Sequence, residues 1–374
     1  MRVGEESNVD LKKRNTFKIS CMADKYYEFS DVQELEDFAG EYNFYDEKYF
    51  ILGGGSNVLL PDNFNGVVIH PISKDVKTIN DSASIVDIEV GAGMEWDDLV
   101  SYTVSRGYSG LERLALIPGN VGASPIQNIG AYGSEVSEYI EKVICFDLYK
   151  KKKIELSKDQ CCFCYRSSLF KSRPELLVTS VVFRLFKSQL SHMNSEPYIG
   201  SRIRRYSKDI FRSVFLIFKS IRIGSDTNWR IKMNFLYVRD FLSLSSIPLN
   251  VKSWLVRSVR RATMPNPLIV ANVGCFFKSP LVNKKDAEIM RKKYPEISIY
   301  PEGDIYKISA GDLIKGCGLN GMKAGSISID KKRPLVILNH GNATGSEIFI
   351  FSEEVRKSVM GKYGINIQRE VVVV

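Results

Sequence analysis

Two glycine-rich stretches of this 374-residue chain are suited to chemistry because they offer bare backbone instead of side chains. Leu114–Gly133, LALIPGNVGASPIQNIGAYG, holds two prolines and no charged residue. Glycine loses much backbone entropy in a helix or strand, and proline has no N–H for a ladder, so this stretch is expected to run as a loop. Tyr49–Leu60, YFILGGGSNVLL, reads as a buried strand that turns through Gly53, Gly54, Gly55, Ser56 and Asn57. Successive amides in such a turn make an anion nest, the usual cradle for a pyrophosphate. Two nests predict one dinucleotide held from two sides. Each nest alone also has a plainer reading as an ordinary turn. The first lacks G-x-G-x-x-G spacing and leads into the strand-like VLL, which argues against a Rossmann nicotinamide-binding fold.

With Val90–Trp96 (VGAGMEW) between them, the two stretches resemble the UDP-N-acetylenolpyruvoylglucosamine reductases, flavoenzymes of bacterial peptidoglycan synthesis also called UDP-N-acetylmuramate dehydrogenases. Asn15-Thr16-Phe17, Tyr165–Phe170 (YRSSLF), Gly274–Lys278 (GCFFK) and Arg369-Glu370-Val371 look like that family's motifs in the family's order. The resemblance runs from about Leu11 to the last residue and is interrupted by a poorly matching block near 187–256.

The resemblance implies an NADPH-dependent reduction of UDP-N-acetylglucosamine enolpyruvate to UDP-N-acetylmuramate. FAD takes hydride from NADPH, and the substrate then takes NADPH's place and accepts hydride from flavin N5. Negative charge spreads into the neighbouring carboxylate, so the site needs an enolate stabiliser and a proton donor. The flavin would lie on Gly53 to Asn57 and on the loop carrying Gly119, Ser124, Asn128, Gly130 and Tyr132. Arg166 matches the family's arginine facing the carboxylate, whose planar fork suits two oxygens. Glu370 matches the glutamate opposite it, which if protonated donates a hydrogen bond to the enolate. Cys275 stands where many relatives have the serine that protonates the carbanion. A thiol with a pKa of about 8.5 is mostly protonated at neutral pH and is the stronger acid. Without the resemblance, Arg166 reads as a surface ion-pair residue, Cys275 as an inert buried thiol, and Glu370 as an exposed carboxylate four residues from the end of the sequence. Relatives usually continue further, so this end is expected to be less firmly clamped.

On the substrate side the pattern departs. Where relatives read R-x-x-K-L-P this chain reads Arg260-Arg261-Ala262-Thr263-Met264-Pro265. The lysine implied to meet the nucleotide phosphates is therefore Thr263, with Arg260 or Arg261 as replacements. Ser279 stands for an asparagine that helps hold the nucleotide, and Tyr198 is the candidate for a tyrosine that folds over the substrate.

These residues need elements to position them. DVQELEDFAGEY, WDDLVSYTVSRG and KKDAEIMRKKYP carry helical periodicity, while ASIVDIEVGAGM and EKVICFDLYKKKKIELS carry β-branched alternation. The expected class is α+β: a two-part FAD-binding domain of the vanillyl-alcohol-oxidase type plus a C-terminal α+β substrate domain. The expected units are 1–71, 72–256 completed by a strand at 365–374, and 257–364. The 44% hydrophobic content supports real cores.

Seven cysteines without regular spacing, in a chain without an apolar signal region or an apolar run of spanning length, predict free thiols and a cytoplasmic location. CCFC at 161–164 has half the spacing of a zinc site but no second pair, so no metal is expected and its thiols are read as buried apolar fillers. Between Lys187 and Arg261 fifteen Lys and Arg face four acidic residues, enough to account for the net charge of +9. This basic block reads as a helical insertion with a solvated face; peripheral contact with an anionic membrane is the alternative, and no nucleic-acid-binding module supports a nucleic-acid partner. The rival functions are a flavin oxidase of the same fold and a nucleotide- or membrane-binding paralogue without activity.

Overall fold

Residues 4–188, 242 and 247–374 are described in this computed structural model. The N-terminal unit comprises strands β1 (Glu5–Asp10), β2 (Met22–Phe29), β3 (Tyr49–Ile51), β4 (Val58–Leu59) and β5 (Phe64–Pro71), with helix α1 (Val32–Glu41). Its sheet runs β1-β2-β5-β3, with β2, β5 and β3 mutually parallel. Parallel neighbours need a crossover, and α1 falls between β2 and β3. A capping box starts α1: the Asp31 carboxylate accepts from the Glu34 N–H at 3.0 Å, and the Glu34 carboxylate accepts from the Asp31 N–H. Leu35, Phe38 and Ala39 then pack against Tyr27, Phe29, Val67 and Ile69.

The second unit comprises β6 (Val76–Asp81), β7 (Ile85–Gly91), helix α2 (Trp96–Ser105), β8 (Tyr108–Ser109), the hairpin β9 (Gly130–Ala131) and β10 (Ser134–Glu135), then β11 (Ile140–Asp147), β12 (Lys152–Ser157) and β13 (Leu176–Lys187). Its antiparallel sheet runs β12-β11-β13-β7-β6, with β8 against the end of β13. The central strand β13 escapes an alternation-based reading because LLVTSVVF is buried residue after residue. Leu177 faces the α1 core, whereas Val181, Phe183 and Leu185 face Trp96, Leu99 and Val100 of α2. Each such fully buried apolar side chain contributes about 1.5–3 kcal/mol before entropy is counted.

Helix α3 (Leu249–Thr263) runs unbroken through the division expected between 256 and 257. Its Leu255, Val256 and Val259 belong to the α2 core, and Arg257 pairs with Asp97 and donates to the Ser101 hydroxyl at 2.8 Å. The second unit therefore extends to the end of this helix. Tyr198 and most of the basic block lie outside the described residues; Leu242 and Ile247 are buried in the same core as α3.

The C-terminal unit contains β14 (Leu281–Val282), α4 (Lys284–Lys293), β15 (Ile299–Glu302), β16 (Ile305–Ile308), α5 (Ala310–Gly316), β17 (Lys323–Ala324), β18 (Ile327–Ile329), β19 (Ile337–Asn339) and α6 (Gly345–Tyr363). Two small antiparallel sheets, β14-β16-β15 and β17-β18-β19, flank a core of Phe276, Leu313, Ile348, Phe351 and Val355. Helix α6 begins on a Thr344–Glu347 capping box and stops at Gly364, in the left-handed region at φ 68°. The chain then returns, but not to the second unit as expected: β20 (Val372–Val373) lies parallel to β4 of the N-terminal unit.

All seven cysteines are free. Cys161 is buried, but Cys162 and Cys164 are exposed, so CCFC does not act as a buried filler throughout. Among the described residues no group of His, Cys, Asp and Glu could hold a metal, and no helix is long and apolar enough to cross a membrane.

Candidate active site

The two glycine-rich stretches press against each other. A side chain at Gly54 would stand 2.5 Å from Asn120 Oδ1 and 3.0 Å from Gly119 Cα, so this approach requires glycine. Ser56 Oγ donates to the Pro118 carbonyl at 3.0 Å, and Asn57 Nδ2 donates to Gln127 Oε1 at 2.6 Å. The side chains of Ser56 and Asn57 thus tie the loops together, leaving backbone as the exposed surface. Within the described structure the amides of Gly53, Gly54, Gly55 and Ser56 donate to no backbone carbonyl. Asn120 Oδ1 and Ser124 Oγ are buried without a partner. A cleft of about 240 Å³ opens over Gly53, Gly54 and Asn120, with Lys13, Arg14 and Lys18 along its wall.

The loop then makes a two-residue turn between β9 and β10, with Tyr132 at φ 52° and Gly133 at φ 77°, the left-handed pair of a tight hairpin. Asn128 is buried and braces this turn: its Nδ2 donates to Glu135 Oε2 at 2.6 Å and to the Cys164 carbonyl at 3.2 Å. Arg166, itself at φ 53°, points back under the loop. Its Nη2 donates to the Gly130 carbonyl at 2.7 Å and its Nη1 to the Asn128 carbonyl at 3.3 Å. A Cβ at residue 130 would sit 3.0 Å from that Nη1, so Gly130 makes room for the guanidinium.

The partner of Arg166 comes from the far end of the chain. Its Nε lies 3.1 Å from Glu370 Oε1, with side chains 19% and 13% exposed. Glu370 is clamped: its N–H donates to the Phe276 carbonyl at 2.8 Å, its carbonyl accepts from Asn57 Nδ2, and Val372 N–H donates to the Asn57 carbonyl at 3.0 Å. The expectation of a loose end is therefore corrected, because the terminal strand is hydrogen-bonded on both flanks. Phe277 bridges Arg369 and Cys275 bridges Val336, so Cys275 and Glu370 occupy adjacent paired segments. Burial, followed by the charge of Glu370, pushes the Cys275 thiol pKa up against the opposing pull of Arg333, Arg166 and Arg260. Burial also raises Glu370 above the usual carboxylate range, although Arg166, Lys171 and Lys278 pull it down.

Residues 266–374 match the UDP-N-acetylenolpyruvoylglucosamine reductase, C-terminal domain family, and residues 23–146 match the FAD binding domain family. The UDP-N-acetylenolpyruvoylglucosamine reductase of Flavobacterium johnsoniae is 33% identical over 372 residues, 99% of each chain. That of Neisseria meningitidis serogroup B is 33% identical over 365 residues, covering 96% of this chain and 95% of its own. The chain belongs to the UDP-N-acetylenolpyruvoylglucosamine reductase family. The crystal structure of the Thermus caldophilus reductase, at 22% identity and a TM-score of 0.60 over 98% of this chain and 97% of that one, shares the fold. As a member of this reductase family the chain is an FAD-dependent oxidoreductase that reduces an enolpyruvyl UDP-sugar in peptidoglycan precursor synthesis.

The geometry fits the reductase's cofactor. Free nest amides, two orphaned buried polar atoms and a cationic cleft are what a bound pyrophosphate and its flanking groups satisfy. Tyr132 is half-buried, and the charges of Arg260 and Arg333 oppose the desolvation that raises its hydroxyl pKa. Ser279 Oγ accepts from the Ala310 N–H at 3.5 Å, at the start of α5. Thr263 Oγ1 donates to the Val259 carbonyl at 2.7 Å, back into its own helix.

Four residues beside the candidate site were not singled out from the sequence. Asn120 was legible, being inside the glycine-rich loop; Arg14 adjoins the Asn15-Thr16-Phe17 motif. Lys171, whose Nζ donates to the Arg166 carbonyl at 2.8 Å and whose pKa burial lowers to about 8, follows the YRSSLF motif directly. Arg333, in KKRPLV, has no local signal separating it from a solvated basic run.

Proposed function

We propose that the chain carries out this reduction with NADPH as electron source in the cytoplasm, on UDP-N-acetylglucosamine enolpyruvate, with Arg166, Glu370 and Cys275 serving the acceptor. When bound, FAD supplies the hydride, taken first from NADPH and delivered to the methylene carbon of the enolpyruvyl group. The observation that carries the reading is the meeting of Arg166 and Glu370 at 3.1 Å beside the Cys275 segment, assembled from residues far apart in the chain.

As charge develops on the adjacent carbon and its carboxylate, the N–H groups of Arg166 not engaged by Asn128, Gly130 and Glu370 remain to meet it. Protonated Glu370 donates to a carboxylate oxygen; burial favours that form. The Cys275 S–H bond then breaks and its proton forms the new C–H bond, completing the saturated lactyl ether. The thiolate left behind is stabilised by Arg166, Arg260 and Arg333 and regains a proton from water. Raised pKa before the step and cationic neighbours after it together suit a proton donor.

The test is anaerobic absorbance at about 450 nm, where oxidised flavin absorbs. NADPH should bleach the purified protein and the enolpyruvyl sugar nucleotide should restore the band. A band restored only by oxygen would point to an oxidase.

A further inference from the structure

Asn128 has no hydrogen-bond donor left on its side chain. An amide nitrogen carries two N–H groups, and here Glu135 Oε2 accepts one at 2.6 Å and the Cys164 carbonyl the other at 3.2 Å. Its Oδ1 accepts from the Ser137 N–H at 3.1 Å, and the residue is 1% exposed. The side chain therefore faces protein on every bonded side, although the residue sits in the loop expected to carry the flavin.

What those bonds hold is Arg166. Asn128 and Arg166 both lie in the left-handed region, at φ 48° and φ 53°. Asparagine tolerates that conformation through local hydrogen bonds, whereas an arginine keeps it only where its surroundings hold it. Cys164 and Ser167 exchange backbone hydrogen bonds at 3.0 and 3.1 Å, closing a tight turn with Arg166 inside it. Asn128 grips that turn at the Cys164 carbonyl, and Lys171 Nζ grips it at the Arg166 carbonyl, 2.8 Å away. At the far end of the Arg166 side chain, the Asn128 carbonyl accepts from Nη1 at 3.3 Å beside the Gly130 carbonyl on Nη2 at 2.7 Å. One residue thus fixes both the turn from which Arg166 projects and a carbonyl that aims its guanidinium, and Glu135 and Ser137 fix that residue.

We propose that Asn128, anchored by Glu135, is the positioning residue of Arg166: its side chain aims the guanidinium at the acceptor's carboxylate and touches neither FAD nor substrate. This rests on the role given to Arg166 in the reaction above. The two half-reactions should therefore separate. Arg166 serves the enolpyruvyl acceptor, so loosening it leaves flavin retention and hydride uptake from NADPH alone and slows hydride delivery.

The experiment is anaerobic stopped-flow absorbance of the FAD-loaded protein and of Asn128→Gly, which keeps the left-handed backbone and removes only the side-chain bonds. Flavin content and bleaching by NADPH should stay close to wild type, while reoxidation by the enolpyruvyl sugar nucleotide slows about 10–100-fold, the cost of a misaimed group. Glu135→Ala, which removes the anchor, should slow reoxidation in the same way, and Glu135→Gln, which keeps an acceptor oxygen, should recover much of the rate. Wild-type reoxidation in Asn128→Gly, or in Glu135→Ala should the glycine variant not fold, overturns the assignment. Loss of flavin or of bleaching in step with reoxidation overturns it too, returning the side chain to the cofactor, and Glu135→Gln as slow as Glu135→Ala overturns the anchor. A second readout needs no turnover: in protein labelled with ¹⁵N-arginine, the Arg166 Nε–H resonance, assigned by its absence in Arg166→Lys, should move toward the solvent-exposed arginines in Asn128→Gly. If the enolpyruvyl substrate never reoxidises wild-type flavin, the proposed reaction falls, and this resonance still decides the positioning role: a shift supports it and an unmoved peak overturns it.

Discussion

Cys275 lies within electrostatic reach of Glu370, Arg333, Arg166 and Arg260, and as the proposed proton donor its replacement separates proton delivery from every other step. Cys275→Ser is expected to retain measurable turnover, because a hydroxyl can donate from the same position. Cys275→Ala should leave bleaching by NADPH intact and slow reoxidation by substrate about 10²–10⁴-fold, the usual worth of a positioned general acid. Stopped-flow absorbance resolves the two half-reactions; wild-type reoxidation in the alanine variant would remove the thiol from the chemistry. Short motifs singled out Arg166, Cys275 and Glu370 as candidates, but their engagement was not legible. A residue type says what hydrogen bonds are available, not that Arg166 spends its fork on Gly130, Asn128 and Glu370 before any substrate arrives.

Among the elements, the GGGSN turn has the least tolerance. Gly54→Ala puts a methyl 2.5 Å from Asn120 Oδ1, and the clash should spread the two loops apart. The variant is expected to purify with much less flavin, read from its visible absorbance relative to protein, while helical circular dichroism is retained. The six-stranded sheet offers a test of acid stability. Arg184 Nε and Nη2 lie 2.9 and 3.0 Å from the two Asp87 oxygens, joining β13 to β7 and holding the Asp87 carboxyl below the usual range. A depressed folded pKa stabilises fully above the ordinary aspartate value of about 3.9 and is lost as pH falls through the folded one. Asp87→Asn should therefore cost on the order of 1 kcal/mol at neutral pH, with the gap to wild type closing in strong acid. Urea unfolding at both pH values measures it. Helices α1, α2 and α4 could be read from periodicity and caps because those signals lie within a few residues. Strand β13 could not, since burial on both faces erases the alternation that marks a strand.

At the scale of the whole molecule, the last strand closes the site by reaching back to the first nest. Val372 N–H donates to the Asn57 carbonyl and Val374 N–H to the Leu59 carbonyl, both at 3.0 Å. Deleting Val371–Val374 should keep Glu370 in the chain yet lower both flavin content and turnover, the latter by about tenfold or more because the carboxylate loses its placement. Absorbance and steady-state rates decide this, and a fully active truncation would show that β20 is dispensable. The Asn15-Thr16-Phe17 motif works at the same scale: Thr16 N–H donates to the Gly55 carbonyl, while the Thr16 and Phe17 carbonyls accept from Asn272 N–H and Asn339 Nδ2. It joins the cofactor nest to the C-terminal unit.

The linear order of residues determined the parts: two backbone nests, three chemical side chains, the helices, and the family to which they belong. Such features are set by local stereochemistry and by motifs a few residues long. Only the folded chain decided which charges meet. Arg166 and Glu370, 3.1 Å apart in space, are separated by 204 positions along the chain. Whether a guanidinium is neutralised depends on distances through space, which charge counted along a sequence does not contain.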